Sequence, residues 1–367
     1  MKILAIGPLP SPITGQALAF EAFVDELKTK HEVDVINLSK IASDSFPGRL
    51  VRVWQTLCYV WQAWWLSRRA DTVYFTISES VLGNLKDLGI YLACFSKLGR
   101  MTVHLNGGAG MRELLAPSRT IFRSMNRFFL RRVHRVIVLG PSLVDIFDGM
   151  LSPDRIVSVP NFAADELFVP GSAISEKFSK VAPLRLLFLS NLLWGKGYVE
   201  LLAAYATLSA EVGAAIQLDI AGAFESDGQG QTFLATIARL PGVRYHGIVT
   251  GSERQALFRD AHIFCLPTYY PTEGQPLSIL EAYASGCVVL TTRHSGIVDV
   301  FSAERNGYEV EKKSDTSILQ ALKRALGEPS SLHRMAQANR QAAEAYRVDV
   351  FNRRMTDIVI PAGLPGR

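Results

Sequence analysis

Cysteine is scarce in this 367-residue chain, and the four cysteines lie far apart. Cys58, Cys94, Cys265 and Cys287 form no CxxC pair and have no metal-ligand spacing with a histidine. The histidines are scattered too, which argues against a structural zinc site. The sequence therefore predicts reduced thiols in the core and no bound metal.

Long hydrophobic runs are also missing. The start, MKILAIGPLP, has only four apolar residues between Lys2 and a Gly-Pro break, too few for the hydrophobic region of a signal peptide. The longest candidate for a membrane span, residues 57–66, is ten residues interrupted by Gln62, about half of what a bilayer requires. We expect a cytoplasmic protein that is not integral to a membrane.

Low-complexity tracts and internal repeats are absent, which leaves a globular enzyme or binding protein. A chain of this length predicts two domains, since a single core stops growing at about 250–300 residues. The net charge of +5 is uneven: residues 1–160 hold 19 Lys+Arg against 13 Asp+Glu, and the remainder holds 20 against 21. The basic excess suggests that the N-terminal half meets something anionic. We expect no nucleic-acid partner.

Short β-rich apolar runs alternate with helical segments along both halves of the chain, as in ILAI, VDVINL and TVYFTI near the start and LRLLFLS, IQLDIAG and HIFCLP later. This alternation predicts an α/β fold with doubly wound parallel sheets. We assign residues 1–165 to one Rossmann-like domain, 166–183 to a linker, 184–345 to a second Rossmann-like domain, and 346–367 to a C-terminal helix returning to the first. Ligands are expected at the carboxyl ends of the strands, in a cleft that the two domains face.

The most informative stretch is residues 267–292, PTYYPTEGQPLSILEAYASGCVVLTT. Glu273 lies in the loop after a strand, and Glu281 lies on a helix beginning near Pro276, a residue favoured in the first helical turn. Free backbone N–H groups near Leu277 and Ser278, together with the helix dipole, suit a diphosphate. We therefore predict a donor-binding segment that also includes Gly274 and Gln275.

At these residues the sequence resembles the retaining glycosyltransferases of family four, which have the GT-B fold and an E-x7-E motif followed by a small-residue glycine turn, here residues 284–286. The resemblance extends along nearly the whole chain. Its further motifs are the first-strand loop with Gly15, VHLNGG (103–108), VPNFAADELFVP (159–170), LSNLLWGKG (189–197), IAG (220–222), YHG (245–247) and NGYEV (306–310).

The resemblance implies roles for individual residues. Glu273 would contact the donor sugar, Glu281 would bind the nucleotide ribose, and Lys196 would neutralise the leaving diphosphate without a metal or other cofactor. The alternative for Lys196 is a surface lysine in a turn. Gly15 and Gly296 would let loops approach the donor, although Gly15 is equally compatible with an ordinary turn, and its loop contains no G-x-G-x-x-G fingerprint.

The chain departs from the family pattern at two positions. Asn191 stands where many relatives have an arginine, so one contact to the diphosphate charge is missing or supplied elsewhere. Asn106 stands where many have a histidine, with His104 two residues earlier on the same side of the expected strand. Either residue could face the cleft, and His104 could equally be a buried, hydrogen-bonded strand residue.

Residues 119–135 carry an arginine at every fourth position: Arg119, Arg123, Arg127, Arg131 and Arg135. On one helix they would form an inclined ridge suited to anionic headgroups or a lipid-linked pyrophosphate. The alternative is a solvated outer face. Residues 48–69 contain four tryptophans between basic ends; we expect most of them to face the core, although tryptophan with arginine also suits a membrane interface.

The sequence thus predicts a retaining, metal-independent glycosyltransferase using a UDP- or GDP-sugar. Its acceptor would be a saccharide used in cell-surface polysaccharide synthesis, with a polyprenyl-diphosphate-linked saccharide at the inner face of an anionic cytoplasmic membrane as the candidate. Two alternatives remain open. One is a non-hydrolysing sugar-nucleotide epimerase, and the other is a non-catalytic scaffold that binds nucleotide or saccharide.

Overall fold

A computed structural model describes residues 1–11, 13–39 and 46–360, with only the backbone for residues 46–50. The strands, all parallel, are β1 Lys2–Gly7, β2 Glu32–Asn37, β3 Thr72–Thr76, β4 Met101–Leu105, β5 Arg135–Val138, β6 Ile156–Ser158, β7 Leu184–Leu189, β8 Ile216–Ala221, β9 Val243–Tyr245, β10 Ile263–Leu266, β11 Val288–Thr292 and β12 Gly307–Val310.

The α-helices are α1 Gly15–Lys28, α2 Phe46–Ser67, α3 Val81–Ala93, α4 Ala109–Leu114, α5 Thr120–Leu130, α6 Gly171–Lys177, α7 Tyr198–Val212, α8 Asp227–Ile237, α9 Gly251–Asp260, α10 Leu277–Ala284, α11 Asp315–Gly327, α12 Pro329–Ala342 and α13 Val348–Val359. The chain forms two compact units. Unit 1 comprises Met1–Asn161 and the segment from Asp349, and unit 2 comprises Phe162–Val348.

Unit 1 is built on a six-stranded sheet of order β2-β1-β3-β4-β5-β6. Its central strands are apolar runs without alternation because helices cover both faces, and β3 and β4 are buried throughout. The connections β2–β3, β3–β4 and β4–β5 all step in one direction, so right-handed crossovers bring α2, α3 and α5 to one face, and α1 lies on the other. At the C-terminal end of the unit, the Thr72 hydroxyl lies 3.3 Å from the Val359 carbonyl oxygen of α13.

Unit 2 has a six-stranded sheet of order β12-β11-β10-β7-β8-β9. Residues 166–183, which the sequence assigns to a linker, lie inside this unit instead. They include α6 and bury Leu167, Ile174 and Phe178 in its core. The polar, Pro/Gly-bearing composition of the segment obscures these three anchors.

The predicted fold class is confirmed: two α/β units, each with one parallel sheet and flanking helices. Within unit 1, two local expectations need correction. The helix carrying the arginines spans only Thr120–Leu130, so Arg119 and Arg131 flank it and Arg135 begins β5. The tryptophans of α2 do not face the core, since Trp54, Trp61, Trp64 and Trp65 are 68%, 62%, 42% and 41% exposed.

Candidate functional site

The candidate site of unit 2 is built on loops at the carboxyl ends of β7 and β10, the two central strands of its sheet. Lys196 lies in the loop after β7, and Glu273 lies in the loop between β10 and α10. The turn after Lys196 requires glycine: Gly197 has a φ of +81°, and a Cβ there would lie 2.3 Å from the Pro267 carbonyl oxygen. This close approach holds the two loops together.

Lys196 and Glu273, 77 residues apart in sequence, form an ion pair. The Lys196 Nζ lies 2.8 Å from one carboxylate oxygen of Glu273 and 3.0 Å from the other. Both side chains are largely buried, at 12% and 8% exposed, so the pair is shielded from solvent screening. The structure thus brings together Lys196 and Glu273, two of the four residues predicted to be catalytic, and Lys196 is not an isolated surface lysine. The other two are Asn106 and His104.

Several residues that the sequence interpretation missed hold the Glu273 loop. The Thr268 hydroxyl lies 2.8 Å from a Glu273 carboxylate oxygen, and the Ser295 hydroxyl donates to the Glu273 backbone carbonyl at 2.6 Å. His294 contacts the Tyr270 carbonyl oxygen at 2.8 Å. Gly296, which the sequence does predict as a site residue, approaches the same loop: a Cβ there would lie 3.2 Å from the Gly274 carbonyl oxygen. The segment after β11 therefore fixes the Glu273 loop, a tertiary contact that the local sequence does not encode.

The helix α10 begins at Leu277, with Pro276 at the N-cap position rather than in the first turn. Proline has no side chain that can accept from the first-turn N–H groups, so Leu277 and Ser278 carry N–H groups of the kind that bind anions. Gln275, immediately before, is buried. The positive end of the α10 dipole therefore lies four residues after Glu273 in the chain.

Glu281, on the second turn of α10, is 3% exposed and pairs with Arg254 of α9. Burial raises the pKa of the Glu281 carboxyl, and the Arg254 guanidinium partly opposes that shift. Arg254 belongs to no recognisable motif, so no local signal in the sequence points to this pairing.

Asn191 is exposed, and its side-chain oxygen lies 3.4 Å from the Ala223 backbone nitrogen. That contact links the loops after β7 and β8.

In unit 1, His104 is fully buried on β4, and its Nδ1 lies 2.8 Å from the Tyr74 hydroxyl. Burial lowers the pKa of His104 to about 3, so its ring is neutral at physiological pH. In the structure His104 is therefore a buried, hydrogen-bonded strand residue, which is one of the two alternatives that the sequence left open. Asn106 follows the end of β4 and is half-buried, with a buried Oδ1 that has no partner among the described residues.

The loop after Asn106 is organised by Glu79, another residue that the sequence interpretation missed. One Glu79 carboxylate oxygen accepts from the backbone N–H groups of Gly108 and Gly110 at 3.0 and 2.9 Å. A Cβ at Gly107 would lie 1.4 Å from a Glu79 carboxylate oxygen, and one at Gly108 would lie 2.6 Å from the Leu143 side chain, so neither position has room for a larger residue.

Gly15 is the first residue of α1, directly after the N-cap Thr14, whose hydroxyl accepts from the Ala17 N–H at 3.1 Å. In the described part of the chain, no group of three or more His, Cys, Asp or Glu side chains is arranged to hold a metal ion.

The architecture of the two units and their match to solved structures define the GT-B fold. The UDP complex of Anabaena Alr3699/HepE superposes with a TM-score of 0.72 at 15% identity, over 97% of this chain and 99% of that one. WaaG, a glycosyltransferase involved in lipopolysaccharide biosynthesis, superposes with a TM-score of 0.69 at 14% identity, over 98% and 100% of the two chains.

Sequence comparison gives a further similarity. Residues 173–342 match the family model Glycosyl transferases group 1, and the matched region lies in unit 2 and includes Lys196, Glu273 and Glu281. A Salmonella typhimurium relative, provisionally named colanic acid biosynthesis glycosyltransferase WcaL, is 25% identical over 187 residues. That alignment covers 48% of this chain and 45% of the relative, so it spans less than half of the relative's length.

Proposed function

We propose that this protein is a retaining glycosyltransferase that transfers a sugar from a nucleoside-diphosphate sugar to a saccharide acceptor. The observation that carries the proposal is the buried Lys196–Glu273 pair in the loops that precede α7 and α10. The adjoining loops offer three groups that suit such a donor. A cation can neutralise the diphosphate charge, a carboxylate can accept from sugar hydroxyls, and an uncapped helix start can donate to phosphate oxygens.

The reaction breaks the bond between the anomeric carbon and the diphosphate oxygen, and negative charge grows on the leaving diphosphate. An ammonium group has three N–H donors. Lys196 can keep its contacts to Glu273 while a further N–H turns to a phosphate oxygen, and the α10 N–H groups add to the stabilisation. In this proposal no metal is required, because the cation and the helix start supply the positive charge.

We propose that Glu281 binds the ribose hydroxyls of the donor. Glu281→Gln is then expected to raise the KM for the donor about tenfold or more with a smaller effect on kcat, because a charged hydrogen bond to the nucleotide is weakened in the ground and transition states alike. Steady-state kinetics with varied donor measure this. Glu253→Gln is the control: the Glu253 side chain, in α9, is 58% exposed, and its substitution should leave the KM for the donor unchanged. A fall in kcat at unchanged KM would contradict the ribose role.

The donor class is proposed as a UDP- or GDP-sugar. UDP-glucose is the first candidate to test, since Alr3699/HepE has been crystallised with it. Thermal unfolding with UDP-, GDP- and dTDP-sugars is expected to show a shift of several degrees for one base, because a ligand at 100 times its Kd stabilises by about 2.7 kcal/mol. No shift with any of the three would count against the donor site.

We propose a polysaccharide-building acceptor, in line with the colanic acid and lipopolysaccharide roles named for WcaL and WaaG. A lipid-linked saccharide on a polyprenyl diphosphate would be met at the cytoplasmic side of a membrane. Incubation with the stabilising donor and such acceptors, followed by mass spectrometry, is expected to show one added sugar. Recovery of only an isomerised nucleotide sugar would favour an epimerase instead.

A further inference from the structure

The outer face of unit 1 has an apolar layer formed by three helices. The neighbours α2 and α3 approach closely enough for a Cβ at Gly89 to lie 3.0 Å from Val60. Buried Asn84 of α3 and Asn126 of α5 exchange two hydrogen bonds, of 3.0 and 2.9 Å. The three helices therefore form one continuous layer on the sheet.

The solvent side of this layer is unusually apolar. Besides the four tryptophans of α2, side chains from α3, α5 and the segment between α3 and β4 are at least 40% exposed. They are Leu82, Leu85, Leu92, Phe95, Ile121, Met125 and Phe128. Phe95 and Phe128 stack with ring centroids 6.3 Å apart, so the apolar surface of α5 continues onto the segment after α3. Contiguous apolar surface of this kind marks an interaction site.

The charge of the layer has one sign. Residues 46–134 contain 13 Lys+Arg and only four Asp+Glu. Neither α2 nor α5 contains a carboxylate, and the single carboxylate of α3, Asp87, is fully buried. Arginines lie over the exposed rings: the Arg68 guanidinium is 3.5 Å from the Trp64 centroid, and that of Arg69 is 4.1 Å from the Trp65 centroid. The surface thus offers aromatic rings and cations together.

We infer that the outer face of α2, α3 and α5 is a docking surface for an anionic phospholipid bilayer, with the helices lying along the interface. Tryptophan rings favour the headgroup zone, and arginines beside them meet lipid phosphates. The absence of exposed carboxylates on these described helices removes the repulsion that an anionic bilayer would otherwise encounter. Among the described residues, none of the helices combines the length and the hydropathy that a membrane span requires.

This surface differs from the arginine ridge expected from the sequence. Arg119 pairs with Glu113, and Arg123 donates to the backbone carbonyls of Leu115 and Asp148. Those two arginines are engaged within the protein, while Arg68 and Arg69 lie among the exposed aromatic rings. The inference concerns a surface separate from the donor site and holds whether or not the proposed transfer is correct.

Intrinsic fluorescence can test the docking surface directly. The chain has five tryptophans, four on α2 and Trp194 in unit 2. In a Trp194→Phe variant all tryptophan emission therefore comes from α2. We expect that emission to move to shorter wavelength with phosphatidylglycerol-containing vesicles and much less with pure phosphatidylcholine vesicles. Unchanged emission with both would overturn the inference.

Vesicle flotation with surface variants provides the matched test. Trp61→Ser/Trp65→Ser is expected to weaken binding to anionic vesicles about tenfold or more, and Arg68→Gln/Arg69→Gln to weaken it and lower its salt sensitivity. The control, Trp194→Ser, removes a 63%-exposed tryptophan of unit 2 and should float like the wild type. Unchanged thermal midpoints exclude misfolding. Equal flotation of all four proteins would overturn the inference.

Two further results are also decisive. A lipid-free emission shift that grows with protein concentration, together with a dimer mass, would assign the face to a second copy of the chain and overturn the inference. Donor-induced thermal stabilisation without vesicles tests the transferase proposal separately, so either proposal can fail alone.

Discussion

Lys196→Ala is expected to lower kcat/KM for sugar transfer by about 10²-fold or more, since a preorganised cation on a leaving group contributes about 3–4 kcal/mol to transition-state stabilisation. The loss should appear mainly in kcat, because charge on the diphosphate grows as the glycosyl bond breaks. Initial rates at saturating donor and acceptor measure it. Glu273→Ala should have a loss of similar size if its carboxylate contacts the donor sugar.

Two controls separate chemistry from folding. Lys323→Ala removes an exposed lysine of the same unit whose Nζ lies 2.8 Å from Glu211, and it should leave turnover unchanged. The double variant Lys196→Ala/Glu273→Gln removes the unpaired carboxylate that the single variant leaves behind. If the double variant regains both the thermal midpoint and the rate, Lys196 acts through stability, and the assignment to catalysis fails.

Arg254→Ala is expected to destabilise unit 2 by about 3–5 kcal/mol at neutral pH, because it leaves the buried Glu281 carboxylate without its cation. Arg259→Ala is the matched control on the same helix: the Arg259 side chain is 63% exposed, and its ion pair with Asp260 lies at the surface. Denaturant unfolding of both variants measures the difference. Equal effects of the two substitutions would refute a special role for the Arg254–Glu281 pair.

The destabilisation should also depend on pH in a defined direction. Burial raises the pKa of Glu281 in the folded protein, and loss of Arg254 raises it further. When the pKa of a carboxyl is higher in the folded protein than in the unfolded chain, the free energy of unfolding falls as pH rises. The reason is that the ionised carboxylate is solvated better in the unfolded chain than in the folded protein. The Arg254→Ala defect should therefore be smaller at pH 5 than at pH 8. A constant defect would mean that Glu281 is not the cause.

The sequence predicts the fold well because parallel strands buried on both faces appear as short continuous apolar runs. Prediction fails where a helix is apolar on two sides. In α2, Tyr59 and Val60 pack on the core, while Trp54, Leu57 and Trp61 form a second stripe facing solvent. Hydrophobicity alone cannot distinguish the inner stripe from the outer one, which is why the expectation that most of the tryptophans face the core is wrong.

For the candidate site, local motifs predict which loops matter but not which side chains meet. The motifs identify Glu273 and Lys196 separately, and their ion pair follows from the adjacency of β7 and β10 in the sheet. The supports Ser295 and Arg254 could not be found in this way, because each acts through a long-range contact. Thr268 is close to Glu273 in the chain, but it belongs to no motif that would have marked it. Arg135 shows that a regular spacing can also mislead: the four-residue spacing of the arginines predicts one helix, but it continues past the end of α5 into β5.

Unit 1 is assembled from both ends of the polypeptide, with unit 2 inserted between them. During synthesis, unit 1 cannot be completed until α13 has been made, because Phe351, Met355 and Val359 of that helix are buried in it. Unit 2, which is continuous in the chain, leaves the ribosome with all its parts before that helix appears. A gene fragment stopping before residue 349 would therefore leave the first sheet without its last helix. To produce unit 1 alone, residues 349–360 would have to be joined to residue 161 through a short linker, so that α13 is included.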